Sequence, residues 1–151
     1  MQIKLPNEQF IYFGDTAHLP YGDKSEDALV GYVTAITRFL KEKNCKMIVV
    51  ACNSATTVIN KTNELPYTSS QIVEVISPIV SLVATQTKYT KIGIIGTRKT
   101  INSGMFNQAL ADLNPNLEIV TKATPLLVPL IEDGFLDEKV LFPVFDRYFE
   151  G

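Results

Sequence analysis

The sequence predicts an α/β fold of two lobes, each a mainly parallel sheet flanked by helices. Three observations predict it. Short apolar runs alternate with helix-period stripes. The connections between them are short, which favours parallel strands with helices on both faces. A strand–turn–helix unit also occurs at least twice, around Cys52 and around Gly96-Thr97. A boundary near Ser77 divides the chain into lobes 1–76 and 77–151.

Phe10-Ile11-Tyr12-Phe13 is β-branched and aromatic, is stopped by Gly14-Asp15, and reads as a buried first strand. Ser25 caps a helix with Glu26 and Asp27 in its first turn, where the dipole favours anions. Leu29, Val33, Ile36 and Leu40 form its apolar stripe, and Asn44 closes it. Met47 to Ala51 is apolar throughout, as a strand covered on both faces should be. Asn53–Asn63 reads as a helix, weakened by its threonines. Val73–Ile76 is a strand, and Ser77-Pro78 looks like an N-cap with proline at N1 of a helix reaching Lys88. Ile92–Ile95 and Leu117–Val120 are further strands, separated by a helix from about Asn102. Pro125 and Pro129 break up the next segment. Asp137–Tyr148 is helical, with Pro143 inside it.

Composition narrows the function classes. The 151 residues are 46% hydrophobic and 20% charged, which excludes a disordered chain. The 14 basic and 16 acidic residues leave a net charge of −2, too small a field to draw in nucleic acid or an anionic membrane. No apolar run approaches the roughly 20 residues that span a bilayer. The N-terminal residues lack the apolar core of a signal peptide, and the two cysteines do not suggest a disulfide framework. The expectation is a cytoplasmic protein with reduced thiols. A lone histidine, His18, reads as a surface loop residue, and zinc spacing motifs are absent.

Ligands of parallel α/β sheets bind beyond the carboxyl ends of the strands. Three segments qualify: Gly14–Gly22, Cys52–Thr56 and Gly96–Thr100. Cys52 is the sharpest candidate, because a thiolate is stabilised where a strand turns into a helix N-terminus. It could serve as nucleophile, metal ligand or base, and position alone does not separate these from a small buried hydrophobe. Cys45 has no polar company and reads as packing. Asn53, Ser54 and Thr56 can bond a carboxylate or ammonium group or simply cap a helix, and Thr97 and Thr100 have the same two readings. The Gly93-Ile94-Ile95-Gly96 glycines lack dinucleotide-loop spacing. Tyr21, in the Pro20-Tyr21-Gly22 turn, faces a ligand or covers a sheet edge. Glu132 reads as a solvated helix end unless a site claims it.

Four ordered motifs together resemble the aspartate/glutamate racemase family: Tyr12-Phe13-Gly14-Asp15-Thr16-Ala17-His18-Leu19-Pro20-Tyr21-Gly22, Val50-Ala51-Cys52-Asn53-Ser54-Ala55-Thr56, Ile92 to Thr100, and Pro125 to Gly134. The resemblance implies two α/β lobes with a site between them, and inversion of the α-carbon of glutamate without cofactor or metal. One thiolate removes the α-proton and a second thiol returns one on the far face. By motif, Cys52 is the first-lobe acid/base and Glu132 an auxiliary carboxylate near the second thiol. Tyr21, Gly22, Asn53 and Ser54 bind substrate, and Thr97 and Thr100 touch its carboxylate. The family's initial Asp-Ser-Gly and its second-cysteine motif do not occur here, so both lobes are expected to be incomplete and the chain unable to racemise efficiently alone. Thr124 stands where relatives often have another cysteine. The resemblance further implies a cytoplasmic enzyme supplying D-glutamate for peptidoglycan, with a homodimer compatible with it. The alternatives are a relative acting on aspartate or hydantoins, and a non-catalytic amino-acid-binding remnant.

Overall fold

In the computed structural model, which describes residues 3–59, 61–62 and 64–150, seven α-helices, three single-turn 3₁₀ helices and four short strands are found among the described residues. Helix α1 spans Glu26–Glu42, with the Ser25 hydroxyl accepting from the Ala28 N–H as its cap. Leu29, Val33 and Leu40 on its stripe are buried and Ile36 is half-buried. Asn44 ends it in the left-handed region at φ 59°, a conformation asparagine tolerates better than most residues.

Strand β1 (Ile48–Val50) leads into α2 (Asn53–Ile59). The rest of the expected Asn53–Asn63 helix is not formed at 61 and 62, while Asn60 and Asn63 lie outside the described residues. Strand β2 (Ile72–Glu74) pairs parallel to β1, Ile48 opposite Ile72. Helix α3 (Ile76–Gln86) starts one residue before the expected Ser77 cap. The Glu74 carboxylate accepts from the Ile76 and Ser77 N–H groups instead, so an acidic side chain does the capping and Pro78 falls inside the first turn.

Strand β3 (Lys91–Gly96) and strand β4 (Glu118–Ala123) pair parallel over six residues each, from Lys91–Glu118 to Gly96–Ala123. Between them the expected single helix is two, α4 (Arg98–Asn102) and α5 (Met105–Leu113), separated at Gly104, whose φ of 68° suits glycine. Pro129 sits within a short helix, α6 (Leu127–Glu132), and α7 (Glu138–Phe149) runs through Pro143 behind an Asp137 cap.

Two expectations fail. Phe10–Phe13 forms no strand, and all four side chains are at least a third exposed. A strand needs a ladder partner, and among the described residues the first sheet contains only β1 and β2. The sheets are also covered on one face only. Ile48 packs with Leu40 and Tyr67, while Ile92, Ile94 and Ile119 pack against Ile76, Val80 and Leu110. The alternate residues Val49, Val73, Ile95 and Val120 are all over 40% exposed. Leu29, Val33, Ala55 and Val58 form a third cluster, between α1 and α2.

Candidate functional site

The turn after β1 carries Cys52. Its carbonyl accepts from the Thr56 N–H at 2.9 Å and the Thr56 hydroxyl at 3.0 Å, which opens α2 directly behind it. The thiol side is exposed. It lines an open groove of about 1310 Å³ together with Asp15, Tyr21, Gly22, Ser54, Thr97 and Glu132.

Asp15 anchors one wall. The Tyr21 hydroxyl donates to its Oδ2 at 2.6 Å, and His18 Nδ1 lies 2.7 and 2.8 Å from its two oxygens. His18 is stacked on Tyr32 with ring centroids 4.0 Å apart, so it is a built part of this wall rather than a plain surface loop histidine. The bond from Tyr21 and the bonds and charge of His18 hold the Asp15 carboxyl below its usual range, against a desolvation cost. Tyr21 moves the other way. Desolvation, and then the Asp15 carboxylate that accepts its proton, push the phenol well above its ordinary value. The phenol thus stays protonated, with its hydrogen committed to Asp15.

The facing side is a row of hydroxyls. Thr97 caps α4, its Oγ1 accepting from the Thr100 N–H at 3.2 Å and donating to the Thr100 hydroxyl at 3.1 Å. Ser54 Oγ lies 3.0 Å from Thr97 Oγ1. A hydroxyl has one proton, so Ser54 is the donor in that contact, and both acceptor positions of Thr97 are filled. A carboxylate only accepts, so one bound here has to take the proton Ser54 gives to Thr97, or the one Thr97 gives to Thr100. Gly22 closes the gap from the Tyr21 side. A Cβ there would stand 2.6 Å from the Thr97 Cβ, closer than real contacts allow.

The structure thus brings Cys52, Tyr21, Gly22, Ser54 and Thr97 to one groove, with Glu132 exposed on its rim from α6. It does not bring all the expected site residues there. Asn53 is exposed and does not line the groove, and Thr100 is buried behind Thr97. Cys45 lines the same groove beyond the other end of β1. Thr124 is buried, its N–H bonded to the Gly96 carbonyl at 2.8 Å. Asp15 was not among the expected site residues. The signal was present in the spacing Asp15–His18–Tyr21, which repeats at three residues through successive single turns. Among the described residues no group of three His, Cys, Asp or Glu side chains is placed to hold a metal, and no helix is long and apolar enough to cross a membrane.

No family model matches the chain. Solved structures do. The fold superposes on the glutamate racemase of Francisella tularensis, determined with D-glutamate, at a TM-score of 0.85 and 32% identity over 99% of this chain. It superposes on a glutamate racemase isoform of Bacillus anthracis at 0.86 and 31% over 97%. The two cover 56% and 55% of those chains. The chain therefore has the α/β fold seen in these glutamate racemases. Sequence narrows this further: the chain is 39% identical to the glutamate racemase of Geobacter metallireducens over 97% of its length, and 37% identical to that of Chlorobaculum parvum over 98%. The chain spans about half the length of these relatives, 54% in both cases.

Proposed function

We propose that this chain forms part of a glutamate racemase, in which Cys52 exchanges the α-proton of glutamate. The observation that carries the reading is the convergence of an exposed thiol with Tyr21, Gly22, Ser54 and Thr97 on one groove, in a fold shared with a racemase determined with D-glutamate. Residues 1–76 supply the thiol, and residues 77–151 supply Thr97 and Glu132. The small hydroxyls and the 21–23 turn packed on Thr97 hold the carboxylates. Their fixed dipoles stabilise the charge that develops on the α-carboxylate as the proton leaves, as preorganised donors do. Ser54 turns its proton from Thr97 to the ligand in that step. Glu132 stands on the rim, where its charge acts on a group arriving from the opposite side.

Inversion needs proton carriers on both faces of the α-carbon. Of the two cysteines, Cys45 stands before β1 and Cys52 after it, so the pair does not bracket one carbon. The 151 residues alone are thus expected to bind glutamate without inverting it at ordinary enzyme rates, on the order of 1 s⁻¹ or more. In this reading the complete enzyme is cytoplasmic, uses no cofactor, and supplies D-glutamate for peptidoglycan.

The test joins this chain to the part of the Geobacter relative outside the matched stretch and follows the glutamate α-proton by NMR in deuterium oxide. The joined protein is expected to wash the proton out, and Cys52→Ala to abolish the exchange. Exchange that survives Cys52→Ala places the base elsewhere and overturns the assignment.

A further inference from the structure

The Ser54–Thr97 contact is flanked by a row of others. Three consecutive contacts join the segment 22–26 to the segment 97–99 in step. Gly22 lies against the Thr97 side chain. Asp23 Oδ1 takes a bond from Arg98 Nη1 at 3.3 Å. Glu26 Oε2 takes one from Lys99 Nζ at 3.3 Å. The same Glu26 oxygen also accepts from Lys61, just past the end of α2. One carboxylate therefore ties together α1, α4 and the chain leaving α2, and Ser54 and Thr97 sit at the starts of those last two helices.

Arg98 opens α4, where unpaired N–H groups repel cations, while Lys99 falls in the last turn of this five-residue helix. Each finds a carboxylate from the opposite segment. Lys99 is the most enclosed of these groups, its side chain only 15% exposed, so its pair is the least screened by solvent. The Lys61 bond, and then the Lys99 bond, hold the Glu26 carboxyl below its usual range, against the desolvation it pays.

We propose that Asp23 and Glu26 are positioning residues, a two-carboxylate clamp that draws the start of α4 onto the 21–23 turn and so sets the Ser54–Thr97 hydroxyl contact. Asp23 also lines the groove and Glu26 does not; both act through Thr97. The link from this contact to ligand affinity rests on the glutamate-binding reading above; the clamp itself does not.

Two readouts on the 151-residue chain separate the two. The first needs no ligand: hydrogen exchange of the Thr100 amide, which Thr97 Oγ1 accepts. The second is the dissociation constant for D-glutamate by calorimetry. The D23N/E26Q variant is expected to speed Thr100 exchange and to weaken D-glutamate binding by about threefold, the scale of partly exposed ion pairs, with the difference shrinking as salt rises. The charge-swapped D23R/R98D variant is expected to return both readouts toward the wild-type value, which a purely structural role for either side chain does not predict. Unchanged Thr100 exchange in D23N/E26Q overturns the clamp. Faster exchange with no D-glutamate binding in any variant upholds the clamp and overturns the glutamate reading instead.

Discussion

The two sheets of this protein were equally legible as sequence and are unequal as structure. β3 and β4 pair over six residues each and pack Ile92, Ile94 and Ile119 onto a core of Ile76, Val80, Leu110 and Leu117. β1 and β2 pair over three, and the aromatic run Phe10–Phe13 beside them forms no strand. Both sheets leave one apolar face bare. The difference teaches that β-propensity describes fit to a covered, pleated surface, not a backbone habit. Phe10–Phe13 has the composition of a strand and lacks the ladder that would make it one.

The largest expected effects compare the two cores. Leu29 is completely buried between α1 and α2, and Leu110 is 2% exposed in the second cluster. Leu29→Ala and Leu110→Ala are each expected to cost about 2–5 kcal/mol in urea unfolding. A Leu29 variant unfolding its own cluster while the Leu110 cluster stays protected would sharpen the comparison into two separately cooperative units. Equal loss of protection everywhere would break it.

Gly22→Ala tests the seam. The new methyl group meets the Thr97 side chain, so the turn or α4 must shift, at a cost of about 1–3 kcal/mol. D-glutamate binding is expected to weaken with it. Thr97→Val removes the α4 cap and the partner of Ser54 and is expected to cost about 1 kcal/mol, with Thr97→Ser restoring most of it. A full loss in Thr97→Ser would show that the methyl group, not the hydroxyl, is what matters there.

The smallest effect is a pH dependence. Asp15 and Glu26 both have carboxyl values held below the ordinary range, Asp15 mainly by Tyr21 and Glu26 mainly by Lys61. A depressed carboxylate contributes stability that is fully present above its unfolded value of about 4 and is lost as pH falls through its lower folded value. Unfolding midpoints are expected to be flat from neutral pH down to about 5 and to fall below about 4. Asp15→Asn should flatten that fall, and an unchanged slope would remove Asp15 from the account.

Much of this was readable in advance, for identifiable reasons. The α1 cap at Ser25 and the left-handed close at Asn44 are local chemistry, settled within one turn. Cys52, Ser54 and Thr97 stand out because they follow the apolar runs that form β1 and β3, whereas Tyr21 follows a run that forms no strand and is singled out by the family resemblance. What stayed hidden depends on contacts distant in sequence. The bare sheet faces depend on which helices fold back. The Glu74 cap displaces the serine because a strand-end carboxylate reaches the helix first. The retreat of Thr100 and Asn53 from the groove depends on which side of a short helix each presents.

Cys45 and Cys52 provide an internal control for the central claim. Mass spectrometry of the chain treated with iodoacetamide reads the alkylation rate at each cysteine separately. Cys52 is expected to react faster than the half-buried Cys45, and saturating D-glutamate to slow Cys52 while leaving Cys45 unchanged. A Cys52 rate indifferent to D-glutamate would contradict the assignment of this groove as the amino-acid site.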